Sequence, residues 1–153
     1  MLFGYRVNFN LWKRLLGLWQ EEICFEYALV QGGFRSERYI EVMDWVAAKA
    51  ERTLLETGRI TVVVQDNGSL HTSRLTRSRW KEWEGKGLFI FFLPPYCSQM
   101  NRIEDQWHQL KTHEIAGKMF DNNYDLAMVI IDGMEARSEI SEYTLERFIF
   151  NCA

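Results

Sequence analysis

Asp66 stands where a carboxylate can do chemistry. It follows the β-branched run ITVVV at 60–64 and opens the segment DNGSLH at 66–71. Such a run is typical of a strand that is covered on both faces, and open α/β sheets place their sites at the carboxyl ends of such strands. The same residues also fit a simpler interpretation, in which Asp66 and Asn67 form an Asx turn before Gly68. Taken alone, the segment favours the turn.

Glu104 is the second acidic residue in such a setting. It comes shortly after the apolar run LFIFFL at 88–93, which predicts a second buried strand. Asn101 and Glu104 have the spacing of a capping box, which explains Glu104 without any chemistry. Glu104 also begins a polar stripe with His108 and Lys111, at i, i+4 and i+7 of a predicted helix.

The elements that must position these two carboxylates form an α/β domain with a mixed sheet. A strand is predicted at 22–31, followed by a helix that begins with Ser36 as its N-cap and ends at Gly58. Asn101 is predicted to cap a further helix, and a last helix is predicted near 123–138.

The β-α-β unit at 60–93 brings the two carboxylates to one edge of that sheet. Its helix is predicted at 73–84, with Leu75, Trp80 and Trp83 turned inward. Such a unit is right-handed and its two strands are parallel. The helix that follows the second strand therefore begins at the sheet edge where the first strand ends.

Two segments have less definite patterns. Residues 11–19 place Trp and Leu at helical spacing, which predicts a core-packing helix or a distorted strand. A helix on a membrane surface is the alternative, although the segment is short and weakly basic. The tail at 143–153 is predicted to form a short extra element.

Composition excludes several classes of protein. The net charge is −3 and the pI about 5.7, so the chain has none of the basic excess of a stand-alone DNA binder. Cys24, Cys97 and Cys152 lie far apart without a CxxC, and the histidines form no HxxxH pair, which argues against a disulfide framework or a zinc site. There is no membrane-length apolar run and no signal-peptide pattern, so the expected location is cytoplasmic.

The order of these motifs resembles the DDE superfamily endonucleases, the transposases of mariner-like bacterial insertion sequences. The pattern DNGxxH at 66–71, a helix, an apolar strand, LPPY at 93–96 and NxIExxW at 101–107 agrees with that family across about residues 60–112. The Cys and Ser that follow LPPY stand where the family commonly has Ser and Pro.

The resemblance implies a ribonuclease H-like fold and DNA transposition by metal-dependent phosphoryl transfer, with strand cleavage and joining. Family members hold two divalent ions, Mg²⁺ or Mn²⁺, between three carboxylates. Two such ions can activate the nucleophile and stabilise the leaving oxygen, and hard cations prefer carboxylate ligands. Asp66 would be the second acidic residue of the triad and Glu104 the third, each a catalytic residue and a metal ligand.

Four further residues are auxiliary candidates in that site: Asn67, His71, Asn101 and Lys111. Each also has a simpler role, because His71 can close its loop, Asn101 can cap the helix and Lys111 can be a solvated surface cation. The resemblance further implies DNA at transposon ends as a partner, together with a homo-oligomer or a full-length transposase.

The first acidic residue of the family, an Asp on the opening strand of the fold, has no counterpart in this sequence. No Asp precedes Asp44, which lies inside a predicted helix, and the three Glu at 21–26 have no supporting motif. The opening central strand and the N-terminal helix-turn-helix module are therefore expected to be absent, with 1–153 a single truncated, partial catalytic domain. Strand 60–65 is then expected to have a vacant edge, which the N-terminal residues fill, a partner fills, or nothing fills.

Three functional hypotheses follow. The first is a DDE transposase domain that is inactive alone. The second is a non-catalytic interaction protein that modulates full-length transposase by pairing with the vacant strand edge. The third is an unrelated α/β protein in which Asp66 forms only a turn and Glu104 only a cap.

Overall fold

The computed structural model describes residues 2–6, 15–20, 23–30, 32–95, 97 and 100–150. Its strands are β1 (Leu2–Arg6), β2 (Leu15–Gln20), β3 (Cys24–Leu29), β4 (Thr61–Gln65), β5 (Leu88–Phe92) and β6 (Thr144–Phe148). Its helices are α1 (Ser36–Thr57), α2 (Arg74–Gly85), α3 (Ile103–Leu110) and α4 (Asn123–Ser141). A π-helical turn, Lys111–Ile115, continues α3.

The strands form one six-stranded mixed sheet in the order β5-β4-β1-β2-β3-β6. β1 pairs antiparallel with β2 and parallel with β4, with Gly4 level with Gln65. The predicted mixed α/β sheet is confirmed, but the expectation of a missing opening strand is wrong. Residues 2–6 occupy the central position, so the edge of β4 is paired and its backbone N–H and C=O groups have partners there.

One face of the sheet packs against α1 and α2. α1 begins after Arg35 rather than after Ser36, and it ends as predicted at Gly58, whose φ of 71° is readily adopted by glycine. The Ser73 side chain caps α2 by accepting a hydrogen bond from the Thr76 N–H at 3.1 Å.

The inward face of α2 differs partly from the prediction. Trp83 is buried and Trp80 packs partly buried against the core, whereas Leu75 is 45% exposed. The small Thr76 is buried in the first turn instead, because its hydroxyl donates to the carbonyl of Leu70 and ties the helix to the preceding loop. The expectation that Leu75 points inward is therefore wrong.

The opposite face of the sheet packs against α3 and α4. Trp107 of α3 contacts the sheet where β2 has a glycine, and a Cβ at Gly17 would lie 2.7 Å from its ring. The ring also meets Phe25 of β3 edge-on, with centroids 5.6 Å apart. This close approach seats α3 on the sheet.

Residues 15–19 of the segment 11–19 form part of strand β2, so the distorted-strand alternative applies there. Residues 11–14 lie outside the described residues. Leu15 and Trp19 face the α3 layer, while Leu16 and Leu18 face the α1 layer. A strand buried on both faces has no polar alternation, which explains why its apolar residues also fit a helical spacing. The membrane-surface interpretation is wrong for the described part, because these side chains lie in the core.

β5 confirms the predicted strand but not its predicted burial. It is a strand, but Phe89 is 38% exposed and Phe91 is 55% exposed, because β5 is the outermost strand on its side and the described helices cover only one of its faces. The tail forms the short extra element that was predicted, β6, which pairs in parallel with β3. No helix among the described residues is long and apolar enough to cross a membrane.

Candidate metal site

The carboxyl ends of β1, β4 and β5 meet at one edge of the sheet, because these strands are parallel. Two hydrogen bonds tie the exits of β4 and β5 together: Leu93 N–H donates to the Gln65 carbonyl at 2.8 Å, and Asn67 Nδ2 donates to the Leu93 carbonyl at 3.0 Å. Asn67 therefore links the loop of Asp66 to the loop that leads toward α3.

The carboxylate of Asp66 is held by its own loop. Gly68 N–H donates to Asp66 Oδ1 at 2.9 Å, so the predicted Asx turn is present. His71 Nδ1 lies 2.9 Å from the same oxygen and 3.1 Å from the Asp66 carbonyl. The turn and a functional carboxylate are thus compatible, since the turn orients the carboxylate through one oxygen while its side chain stays 39% exposed.

The imidazole of His71 lies in the core, 1% exposed. Its ring packs on Tyr39 of α1 with centroids 4.9 Å apart, and the Tyr39 hydroxyl donates to Gln65 Oε1 at 2.8 Å. Burial raises the pKa of Tyr39, and the nearby negative charge of Asp66 raises it further.

Glu104 lies in the first turn of α3, but the predicted capping box is wrong. The N-cap residue is Arg102, which has helical dihedrals and no side-chain capping bond. Glu104 N–H donates to the main-chain carbonyl of Asn101 at 3.0 Å. Asn101 is therefore not the cap that the sequence predicted. Its side chain is buried beneath the start of the helix, 2% exposed.

The electrostatics of Glu104 connect it to Asp66. The pKa of Glu104 is raised by partial burial, then by the negative charges of Asp105 and Asp66, and Lys111 acts in the opposite direction. Lys111 begins the π-helical turn. Two carboxylates from separate elements thus repel each other at this edge of the sheet.

α3 presents Glu104 as the sequence predicted. Ile103, Trp107 and Leu110 form the buried stripe, while His108 on the polar stripe is exposed. Glu104 lies between these surfaces, half-buried.

The donor set fits one divalent ion better than two. Among the described residues no group of three or more His, Cys, Asp or Glu side chains is arranged to hold a metal ion. β1 pairs with β4 as far as Gly4, which is level with Gln65, and residues 1–20 contain no Asp or Glu. Two carboxylates suit a single Mg²⁺, which completes its shell with water and phosphate oxygens.

The supporting roles of Tyr39 and Gln65 are not predicted by local sequence patterns. The apolar spacing around Tyr39 indicates only a core position in α1. The available signal was Gln65 itself, a polar residue that closes an apolar strand and is 1% exposed.

The sheet order and the helical layers define a mixed α/β domain with two carboxylates near one edge of its sheet. A family model described as DDE superfamily endonuclease matches residues 14–127, and the chain belongs to that family. No curated protein sequence matches the chain.

Solved structures with this fold include the catalytic domain of Mos1 mariner transposase, at 17% identity and a TM-score of 0.62, covering 88% of this chain and 69% of that one. The Mos1 transposase catalytic domain with Raltegravir and Mg is similar at 14% identity and a TM-score of 0.64, covering 88% of this chain and 70% of that one. The form with Mn has 17% identity and a TM-score of 0.63, covering 88% of this chain and 69% of that one. The predicted ribonuclease H-like fold is confirmed.

Proposed function

We propose that this chain is a DNA transposition domain in which Asp66 and Glu104 jointly hold one divalent cation, Mg²⁺ or Mn²⁺. The observation that carries the proposal is the placement of the two carboxylates, Asp66 directly after β4 and Glu104 in the first turn of the helix that follows the parallel strand β5. The charge of Asp66 also contributes, after burial and Asp105, to the raised pKa of Glu104. Membership of the DDE endonuclease family supports the same reaction class. The Mos1 catalytic domain, which has the same fold, has been solved with Mg and with Mn.

A cation bound between the carboxylates of Asp66 and Glu104 would offset the electrostatic repulsion between them. Neighbouring carboxylates disfavour each other's charged form, and a bound cation reverses this. When bound, such an ion would neutralise charge on a DNA phosphate. The chain's own contribution is to orient Asp66 through its loop and Glu104 through the first turn of α3.

We infer that the chain alone does not cleave or join DNA. The reaction in this family is expected to need three carboxylates around two ions, and β1 supplies none, since its residues are LFGYR. With a net charge of −3, the chain also offers little general attraction for DNA. The substrate class proposed from the family is the DNA of transposon ends, which the chain alone would engage weakly and without turnover. The motif pattern around LPPY favours an origin in a mariner-like bacterial insertion sequence.

The other two hypotheses lose their basis. The modulator hypothesis depended on a vacant edge of β4, and β1 fills that edge. The hypothesis of an unrelated α/β protein is inconsistent with the family match. Neither is proposed further.

Calorimetric titration with Mn²⁺ tests the proposal. We expect saturable binding near one ion per chain, weakened about tenfold or more in Glu104→Gln, since even residues that only support metal ligands contribute at least that much. Glu84→Gln is the matched control, because it makes the same change at an exposed position of α2. Equal binding by the wild type and Glu104→Gln would contradict the proposal.

A further inference from the structure

We propose that His71 is a positioning residue that fixes the carboxylate of Asp66 for cation binding, in the tautomer that carries its hydrogen on Nδ1. This inference rests on the proposed function, because it assigns a role at the same site. His71 contacts Asp66 and is itself buried, with 1% of its surface exposed.

The tautomer follows from the partners of the ring. Nδ1 lies 2.9 Å from Asp66 Oδ1 and 3.1 Å from the Asp66 carbonyl oxygen, and both of these atoms can only accept. Nδ1 must therefore be the donor. Nε2 is buried and has no hydrogen-bond partner among the described residues, so a hydrogen there would be an unsatisfied buried donor.

The ring itself has little freedom to turn. Tyr39 packs against it at 4.9 Å between centroids, with the ring planes 35° apart, and Tyr39 is anchored by its own hydrogen bond to Gln65. Helix α1 thereby holds the imidazole at a fixed angle to the loop. A donor fixed in this way determines the orientation of the carboxylate that it contacts.

Closing the loop does not require the imidazole. The main chain closes it through His71 N–H and Thr72 N–H, which donate to the Gly68 carbonyl at 2.9 and 3.2 Å. The Thr72 hydroxyl donates to the same carbonyl at 3.2 Å. Because these hydrogen bonds close the turn without the ring, loop closure does not explain the contact between the His71 ring and Asp66.

The contact instead holds one oxygen of a metal-binding carboxylate. Gly68 N–H and His71 Nδ1–H converge on Asp66 Oδ1, so two donors set the plane of the carboxylate. A Cβ at Gly68 would lie 3.0 Å from that oxygen, which shows how closely the loop wraps it. Such outer partners of metal ligands commonly contribute about 10- to 100-fold to metal affinity.

Two substitutions separate the donor from the bulk of the ring. In His71→Asn the amide nitrogen is as many bonds from Cα as Nδ1, whereas in His71→Gln it is as many bonds away as Nε2. Mn²⁺ titration of the full chain is expected to give affinities for His71→Asn within about threefold of the wild type. His71→Gln and His71→Ala are expected to be about 10- to 100-fold weaker. Thermal unfolding of each variant measures the purely structural effect separately.

Nitrogen chemical shifts of the His71 ring in the metal-free wild type provide a readout that is independent of binding. They are expected to report a hydrogen on Nδ1, and a hydrogen on Nε2 would overturn the proposal. Equal Mn²⁺ affinity of His71→Ala and the wild type, or equal weakness of the Asn and Gln variants, would also overturn it. A wild type that binds no Mn²⁺ would instead remove the proposed metal site, and the role of His71 with it.

Discussion

The carboxyl ends of β4 and β1 are neighbours in one parallel pairing, yet they carry different chemistry. β4 leads into Asp66, whose carboxylate is held by Gly68 and His71. β1 reaches the same edge with Gly4, Tyr5 and Arg6, and no acidic residue lies on it. The pairing of β1 with β4 is therefore formed without an acidic residue on β1.

The sheet does not need an acidic residue on β1 for a simple physical reason. Pairing and core packing build the sheet, and a cluster of carboxylates contributes nothing to either. Crowded acidic groups destabilise a fold unless a cation lies between them. A β1 without an acidic residue therefore need not weaken the sheet, and the proposed cation site depends on Asp66 and Glu104 alone.

The largest effect is expected when β1 is made to resemble β4. Tyr5→Asp adds a carboxylate to β1 one residue after Gly4, which is level with Gln65, the residue before Asp66. The wild type should not nick supercoiled plasmid DNA in Mg²⁺ or Mn²⁺. Tyr5→Asp should nick it at least about 1000-fold above the wild-type background, because metal ions stabilise such transition states by several kcal/mol.

Arg6→Asp is the control for that gain. It adds a carboxylate to the same strand, but successive residues of a strand alternate between the faces of the sheet. It should therefore leave the chain inactive. Nicking by the wild type that disappears in Asp66→Asn would show that cleavage does not need an acidic residue on β1. That result would contradict the inference that the chain is inactive because β1 has none.

A smaller effect is expected from a substitution at the contact between β2 and α3. Gly17→Ala would bring a Cβ to 2.7 Å from the Trp107 ring, so α3 must shift away from β2. Overpacking of this kind lowers the free energy of unfolding by about 1–3 kcal/mol, which chemical denaturation measures. Mn²⁺ affinity should fall as well, because Glu104 moves with α3.

Gly85→Ala is the matched control, since nothing lies within 4 Å of a Cβ there. It should leave Mn²⁺ affinity nearly unchanged and raise the free energy of unfolding by about 0.4–1 kcal/mol, because Ala lowers the conformational entropy of the unfolded chain. Adding Trp107→Phe to Gly17→Ala should recover part of both losses by relieving the clash. If Gly17→Ala lowers stability but leaves Mn²⁺ affinity intact, the seating of α3 does not position Glu104.

The smallest effect is the pH dependence of Glu104. Its pKa in the folded chain is raised above the ordinary 4.5, mainly by burial, then by Asp105 and Asp66. An acid with a raised pKa contributes most stability below pH 4.5, and that contribution is lost as pH rises through the folded-state pKa. Metal-free Glu104→Gln should therefore match the wild type at pH 4 and exceed it at pH 7, by less than about 1 kcal/mol because the site is partly solvent-screened.

Mn²⁺ should reverse that order at pH 7. Binding to the folded wild type adds about 2.7 kcal/mol when the free ion is at 100 times its Kd, and Glu104→Gln should gain much less. Thermal unfolding with and without Mn²⁺ measures both effects. A wild type that is more stable than Glu104→Gln without the ion would contradict the proposed repulsion.

The parts of the fold that sequence could predict are those with strong local signals. α1 ends at Gly58, α2 lies at Arg74–Gly85 close to the helix predicted at 73–84, and β4 covers most of the β-branched run and adds Gln65. Local signals also predicted where the two carboxylates lie in the fold, Asp66 directly after β4 and Glu104 in the first turn of α3, whereas their role in binding a cation stays a prediction. For Glu104 the location was right and the capping box was wrong.

The rest depended on contacts between distant residues. β1 is five residues long and is recognisable only through its pairing with β2 and β4. The open face of β5 follows from its place at the side of the sheet, which its apolar sequence does not reveal. The buried hydrogen bond between Tyr39 and Gln65 joins residues that are 26 positions apart.

The most direct measurement is a double-mutant cycle of Mn²⁺ affinity over Asp66→Asn, Glu104→Gln and the combined variant. If both carboxylates share one cation, each single change should weaken binding about tenfold or more, and the combined variant should be little weaker than either. Losses that add independently, or single variants that bind Mn²⁺ as the wild type does, would contradict the shared site.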